Sequence, residues 1–154
     1  MEILVTRFNN ETYMENKKFR ENNNIVCIYS SPVKISENIL PNEKLIVLEM
    51  NNSINNIEGI GLIKNKLYLK EKYKIYGDRN YNRYTYKSKY RIDKNEFTSY
   101  EVIIIKKLEE LIFKSAFHCK RGHGIQIIPK HIKNNKELNY FKILNDYIKF
   151  RFNK

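Results

Sequence analysis

Tryptophan is absent from this chain, and cysteine, proline and glycine are scarce, with two, three and five residues among 154. The two cysteines, Cys27 and Cys119, cannot build a disulfide framework, which indicates a reducing, intracellular environment. The first seven residues lack the basic and apolar regions of a signal peptide. No apolar run approaches the ~20 residues that cross a bilayer. These absences predict an intracellular protein that does not span a membrane.

Positive charge is what the chain has in excess. Twenty-nine lysines and arginines stand against 17 acidic residues, which gives a formal net charge of +12. This excess predicts an anionic partner, and charge alone does not choose among nucleic acid, an acidic protein and an anionic membrane surface. A chain of 154 residues is long enough to bury a core. We therefore expect a single domain over residues 1–154.

The distribution of apolar residues predicts a mixed α+β fold. Asparagine-rich turns separate apolar, β-branched runs that have the composition of strands. Apolar residues at helical spacing follow a capping box at Thr98–Glu101 and recur near the C-terminus. The predicted strands are residues 3–8, 25–29, 44–50, 57–63, 68–76, 81–92 and 125–129, and the predicted helices are residues 11–21, 98–115 and 136–149.

Glycines occupy alternate positions of one apolar strand, at Gly59 and Gly61. Glycine weakens a strand unless the backbone bends, bulges or passes close to another group. We therefore expect this strand to turn a corner in a small closed sheet. The sequence predicts a small β-barrel with a capped helix packed on it and a C-terminal helix.

Two segments of the predicted barrel resemble a known superfamily. Residues 42–50, NEKLIVLEM, and residues 57–63, IEGIGLI, are similar to the middle of PUA-like barrels, including the EVE and YTH groups. The resemblance implies a PUA-like domain that binds RNA or DNA, in some members through one modified base. Those members commonly enclose the base with tryptophan, so tyrosine would provide the stacking rings here. Residues 81–84 and 120–124 also resemble uncharacterised proteins of large DNA viruses, which would place the protein in the host cytoplasm or the virion.

Tyrosine and basic residues are concentrated between residues 66 and 94. This stretch holds ten lysines and arginines, three acidic residues and seven of the twelve tyrosines. Because cations neutralise phosphates and phenol rings stack on bases, the pattern predicts a nucleic-acid-binding hairpin. The alternative is a hairpin whose tyrosines pack on the core. The residues predicted to bind are Arg79, Tyr81, Arg83, Tyr84, Tyr86, Lys89 and Arg91.

A second basic segment, Lys120-Arg121-Gly122-His123-Gly124, follows the predicted long helix. Its glycines would let the backbone approach a phosphate closely, and Lys120, Arg121 and His123 would contribute charge. The alternative is an ordinary basic turn. Because the helix before it can cross one side of a small barrel, we expect this loop to lie beside the hairpin and to form one site with it.

Residues that could support catalysis or bind a metal are few. Cys119, His123 and His131 do not have the spacing of a zinc site. No paired carboxylates stand out that would hold the divalent metal of a nuclease. Glu49 lies in an otherwise apolar strand, and we expect it to pair with Arg7 or with a lysine.

The sequence therefore predicts a non-enzymatic domain that binds nucleic acid without a cofactor, a metal or a membrane. RNA or single-stranded DNA is favoured over duplex DNA, because exposed aromatic rings suit unstacked bases. One alternative is a basic structural protein, for example of a virion, that binds acidic proteins or genome. Another is an enzyme that acts on nucleic acid. The apolar face of the last helix would offer a surface for a protein partner.

Overall fold

The computed structural model describes residues 1–69, 72–115, 118–122, 124–133 and 139–152. Within these ranges the fold is mixed α+β, as the sequence predicts. The strands are β1 (Glu2–Phe8), β2 (Cys27–Ser31), β3 (Lys44–Asn51), β4 (Asn56–Lys64), β5 (Tyr84–Ser88), β6 (Tyr90–Asp93) and β7 (Gln126–Ile127). The helices are α1 (Asn10–Asn23), α2 (Ser99–Glu109), α3 (Lys130–Lys133) and α4 (Tyr140–Phe152).

The strands form two sheets. The larger has the strand order β6-β4-β3-β1-β7, and the smaller pairs β2 with β5. β1 runs parallel to β3, because α1 and β2 lie between them in the chain and provide the crossover that a parallel pair requires. The hydrogen-bonded strands in the described ranges form no closed ring, so the barrel remains a prediction.

Apolar side chains cover both faces of the larger sheet. Alternate residues of β1 point to opposite faces, so Ile3 and Val5 join one cluster and Leu4 joins the other. The first cluster includes residues of α2 and α4. The second includes residues of α1 and of the smaller sheet. The molecule therefore has three layers, with the larger sheet in the middle.

Helix α2 begins with a capping box, and an ion pair joins it to α4. Thr98 caps α2: its hydroxyl accepts from the Glu101 N–H at 3.2 Å, and its N–H donates to the Glu101 carboxylate at 2.8 Å. Glu101 is fully buried, and the same carboxylate oxygen accepts from Arg151 of α4. The apolar face of α4, formed by Phe141, Leu144 and Ile148, is also buried. This face packs within the chain, so the surface expected for a protein partner is already covered.

The prediction of a hairpin over residues 68–92 is wrong. Among residues 68–69 and 72–76 none belongs to a strand, and residues 81–92 divide between β5 and β6. β5 pairs with β2, whereas β6 pairs with β4 in the other sheet. The Asn82 side chain explains part of the difference, because it accepts from the N–H groups of Ile75 and Tyr76 and donates to the Tyr76 carbonyl. These bonds hold a compact turn where a strand was expected.

Gly59 and Gly61 make room for side chains that cross between the sheets. A Cβ at Gly61 would lie 2.1 Å from the Tyr29 hydroxyl, and a Cβ at Gly59 would lie 2.9 Å from the Ile92 carbonyl oxygen. The Arg91 guanidinium also lies against Gly59. The glycines therefore mark a close approach of side chains and backbone, which is one of the reasons for glycine in a strand.

Candidate nucleic-acid interface

A cleft of about 190 Å³ opens at the carboxyl end of β1, where the chain turns into α1. Three parts of the chain meet there: the β1–α1 junction, the turn that carries Tyr81, and the loop that ends at Gly124. The lining residues are Thr6, Arg7, Phe8, Asn9, Thr12, Ser30, Asn52, Tyr76, Tyr81 and Gly124. Arg7 is the one charged residue among the described lining residues, and it contributes a positive charge to the cleft.

Arg7 is half-buried and has no carboxylate partner in the described part of the chain. Its Nε donates to the Cys119 carbonyl at 2.7 Å, and its Nη1 donates to the Gly124 carbonyl at 3.5 Å. Burial lowers the pKa of Arg7, and the Cys119 thiol acts weakly in the opposite direction. A guanidinium carries five N–H donors. The donors that the two carbonyls leave over can bind an anion in the cleft.

The loop beside Arg7 is held in place by backbone contacts. Gly122 and Gly124 have φ angles of 117° and 69°, which favour glycine. A Cβ at Gly124 would lie 2.0 Å from the Ser31 hydroxyl, so a larger residue does not fit there. The Asn52 amide donates to the Lys120 carbonyl at 3.1 Å. These contacts fix the basic loop against the ends of β1 and β2.

Tyr81 also lines the cleft and belongs to a 3₁₀ turn over Arg79–Asn82. The Asp78 side chain caps this turn by accepting from the Asn80 N–H at 3.0 Å. The Tyr81 ring packs edge-on against Tyr76, with centroids 6.5 Å apart, and remains 36% exposed. The ring is thus supported from one side and accessible from the other, as a stacking platform must be.

Two further cations lie where β5 begins. The Arg83 guanidinium is 5.5 Å and the Lys34 ammonium 5.6 Å from the centre of the Tyr84 ring, within the range of cation–π contacts. Tyr84 pairs with Ser31 in the smaller sheet, and Ser31 also touches Gly124. The cations around Tyr84 therefore belong to the same end of the molecule as the cleft.

The structure brings together most of the residues predicted from the sequence. Arg79, Tyr81, Arg83 and Tyr84 lie in the turn that borders the cleft or directly after it, and Lys120 and Arg121 lie in the loop that ends there. The loop and the tyrosine-rich turn are adjacent, as the one-site hypothesis requires. His123 lies outside the described residues.

Three predicted residues lie elsewhere. Tyr86 is 1% exposed and its hydroxyl accepts from the Ile35 N–H at 3.0 Å, so it belongs to the core. The Arg91 side chain is 5% exposed and pairs with Glu49. The prediction that Tyr86 and Arg91 lie on a binding surface is therefore wrong. Lys89 is exposed but lines a different groove, together with Tyr90.

Arg91 is the centre of a buried polar cluster between the sheets. Its guanidinium donates to both Glu49 carboxylate oxygens, at 2.7 and 2.8 Å, and Glu49 also accepts from the Tyr29 hydroxyl at 2.5 Å. Burial alone would lower the pKa of Arg91, but the hydrogen bonds and charge of Glu49 outweigh burial and raise it. The expected pairing of Glu49 with Arg7 is wrong, because strand alternation puts these residues on opposite faces of the sheet.

Sequence reasoning did not assign Arg7 and Asn52 to the cleft, nor Lys34 to the cations around Tyr84. Arg7 had a usable signal: it alternates with Ile3 and Val5, and it comes two residues before Asn9, the N-cap of α1. A cation at that position lies where a strand gives way to a helix N-terminus. Asn52 and Lys34 had no comparable signal, because non-local contacts place them there.

The described residues contain no group of three or more histidine, cysteine or acidic side chains arranged to hold a metal ion. Cys119 is buried, and burial raises the pKa of its thiol. His123 and the His131 side chain lie outside the described residues. Within the described ranges, every helix is too short or too polar to cross a membrane.

Comparison with protein-family models, with curated proteins and with solved structures finds no match for this chain.

Proposed function

We propose that the cleft at the β1–α1 junction binds single-stranded nucleic acid, RNA or single-stranded DNA, with a phosphate on Arg7 and a base on Tyr81. The observation that carries the proposal is the state of Arg7. Its guanidinium is held by two backbone carbonyls, without a carboxylate partner among the described residues, at the base of an open cleft. Arginine N–H groups bind phosphate oxygens in a fixed geometry, which makes phosphate the natural anion for this position.

The surroundings of Arg7 add to its attraction for phosphate. The first turn of α1 borders the cleft at Asn9 and Thr12, and the N-terminal end of a helix carries a partial positive charge. None of the described lining residues is acidic. Arg79, Arg83, Lys120 and Arg121 lie on the bordering segments, where they can neutralise neighbouring phosphates of the same strand.

The size of the cleft favours a single strand over a duplex. At about 190 Å³ it is smaller than the ~300 Å³ sites of drug-sized ligands, so it suits one phosphate inside it and one base at its edge. A stacked base in a duplex cannot enter such a space, whereas an unpaired base can lie against an exposed ring. Tyr81 provides that ring at the edge of the cleft.

We also propose that the fold is PUA-like, with the two sheets forming one incompletely closed barrel. Two features support it: β4 lies beside β5, although no ladder joins them, and the Tyr29 ring from β2 reaches Gly61 of β4. An intracellular site of action follows from the same proposal, since RNA and single-stranded DNA are found there.

A binding titration tests the function. Labelled single-stranded RNA, single-stranded DNA and duplex are titrated at two salt concentrations. We expect the single strands to bind more tightly and the affinity to fall steeply with salt. Tyr81→Ala should cost about 1–3 kcal/mol of binding free energy with an unchanged salt dependence. Arg83→Ala should lower the salt slope by roughly one unit for all sequences.

Matched controls separate local from general effects. Tyr100 on α2 is 53% exposed and lies outside the cleft, so Tyr100→Ala should bind like the parent. The double variant Lys120→Ala with Arg121→Ala should be non-additive with Arg83→Ala if both act on one ligand. Parental affinity in both Tyr81→Ala and Arg7→Met would contradict the proposal.

A further inference from the structure

A second groove, of about 540 Å³, lies where β5 ends and α4 passes over the edge of the larger sheet. We call it the lysine groove, because six of the fifteen described residues that line it are lysines and none of the fifteen is acidic. The lysines are Lys44, Lys64, Lys66, Lys87, Lys89 and Lys149. It shares no lining residue with the cleft at Arg7. An inference about it therefore does not rest on the proposed function.

Five of the six lysines have no ion-pair partner among the described residues. These five are Lys44, Lys64, Lys66, Lys89 and Lys149. Lys87 is held differently: its ammonium donates to the Tyr73 hydroxyl at 2.7 Å and lies 5.0 Å from the centre of the Tyr68 ring. Like charges gathered around one concave space repel one another. A bound polyanion would relieve that repulsion.

The groove also has an apolar and aromatic side. Tyr90 is 54% exposed, and its ring packs edge-on against Phe152 of α4 with centroids 5.6 Å apart. Leu62 is partly exposed and adds aliphatic surface, whereas Ile63 and Ile148 line the groove but are buried. Lysines alone would suit any anion, but a supported aromatic ring beside them suits a ligand that joins phosphates to a planar base.

We propose that the lysine groove binds a nucleoside polyphosphate, with its phosphates among the lysines and its base against Tyr90. The volume of about 540 Å³ lies within the roughly 300–1,000 Å³ of sites for small ligands. Lysine binds phosphate as a strongly hydrated point charge on a long stem, so several lysines can follow a flexible phosphate chain. The same phosphates and base also occur at the end of a nucleic-acid strand, and the test distinguishes the two sources.

Calorimetric titration of the folded protein provides the test. The ligands are ATP, AMP, inorganic triphosphate, and a short single-stranded oligonucleotide with and without a 5′-triphosphate. We expect ATP to bind at least about tenfold more tightly than AMP and than triphosphate, since it alone of the three joins a base to a chain of several phosphates. It should also raise the melting temperature. Tighter binding of the triphosphorylated oligonucleotide than of ATP would identify a strand end as the source.

Charge-reversal variants test the lysines. Lys64→Glu with Lys149→Glu should weaken ATP binding at least about tenfold at low salt. The matched control is Lys106→Glu with Lys114→Glu, which changes the net charge equally at exposed positions outside the groove. Circular dichroism verifies that both double variants are folded. An equal loss in the control pair would show that net charge alone attracts ATP and would overturn the proposal.

Substitutions of tyrosines test whether the base contacts Tyr90 and whether ATP binds in the lysine groove or in the cleft. Tyr90→Ala should weaken ATP about tenfold and leave triphosphate binding unchanged, whereas Tyr100→Ala should alter neither. Tyr81→Ala in the cleft should leave ATP affinity unchanged. A loss of ATP binding in Tyr81→Ala would assign ATP to the cleft instead and would overturn the groove as its site. Equal affinity for ATP and triphosphate, or binding of anionic vesicles alone, would also overturn it.

Discussion

Arg7 and Arg91 both extend from the larger sheet, yet the regions around them differ in how each cation is compensated. Around Arg91, Glu49 and Asp93 accept its hydrogen bonds at 2.7–2.9 Å and the side chain is 5% exposed. Around Arg7, two backbone carbonyls accept and a cleft is open beside it. The comparison shows that burial alone does not assign a role to an arginine. A carboxylate partner marks a structural cation, and carbonyl partners leave the positive charge available to a ligand.

The largest expected difference between the two regions is in stability. Arg91→Met should lower the free energy of unfolding by about 3–5 kcal/mol, because it leaves the Glu49 carboxylate buried without a cation. Arg7→Met should lower it by no more than about 2 kcal/mol, since only hydrogen bonds to carbonyls are lost. Urea denaturation of both variants measures the two free energies.

The control for this prediction removes both charges of the buried pair. Glu49→Leu with Arg91→Met should recover much of the stability that Arg91→Met loses, because no buried charge remains unpaired: Asp93 also loses its partner, but its side chain is 27% exposed. Similar losses in Arg7→Met and Arg91→Met would mean that carboxylate pairing does not distinguish the two regions, and the comparison would break.

An intermediate loss of stability is expected when the packing between the two sheets is disturbed. Gly61→Ala should destabilise the protein by about 1–3 kcal/mol, because its Cβ would overlap the Tyr29 ring above the Arg91 region. Gly77, beside the turn that carries Tyr81, is the matched control: its Cβ would meet nothing closer than 3.6 Å. Thermal and urea denaturation of Gly61→Ala and Gly77→Ala provide the measurement. If both variants keep parental stability, the contact between the sheets is looser than the structure shows.

The smallest expected effect is on the way the free energy of unfolding depends on pH in acid. Burial alone would raise the pKa of Asp93, but the hydrogen bond and charge of Arg91 outweigh it, so the folded-state pKa lies below the ordinary 3.8. Asp93 therefore stabilises the fold above its unfolded-state pKa, and this contribution is lost as pH falls through its lower folded-state pKa. The free energy of unfolding, measured by denaturation between about pH 5 and 2, should depend less steeply on pH for Asp93→Asn than for the parent.

Denaturation curves over the same pH range also distinguish the region around Arg7 from the region around Arg91. Arg7→Met should keep the pH dependence of the parent, because no described carboxylate pairs with Arg7. An unchanged pH dependence in Asp93→Asn would show that the ion pair with Arg91 does not persist in solution.

Local signals in the sequence were sufficient for most of the fold. The capping box at Thr98–Glu101 begins α2 as predicted, and the apolar runs at residues 3–8, 44–50 and 57–63 correspond to β1, β3 and β4. These elements follow from periodicity and from contacts three residues apart. Pairing between sheets could not be predicted in that way. β5 joins β2 over a separation of more than fifty residues, and that choice depends on how Tyr29 and Tyr86 pack together.

The residues of the candidate site could be predicted only in part, because the side-chain orientations also depend on non-local contacts. Composition identified the basic, tyrosine-rich segment, but it could not tell which of its rings face inward. Tyr84 and Tyr86 differ by two positions and share a face of β5, yet only Tyr86 is covered, by the segment that contains Ile35. Arg7 and Glu49 lie on opposite faces because Thr6, and not Arg7, is the register partner of Glu49. The register of two strands that are far apart in the chain cannot be predicted from their periodicity.

The ion pair between Glu101 and Arg151 has a consequence for the order in which the molecule is made. The two residues are fifty positions apart, so α2 leaves the ribosome before its buried carboxylate can meet the cation on α4. At about 5–20 residues per second the interval is roughly three to ten seconds. During that time one face of the larger sheet also lacks the side chains of Leu144 and Ile148. The nascent chain therefore exposes an apolar surface and an uncompensated acid until translation reaches α4, and this is the stage at which chaperones would be needed most.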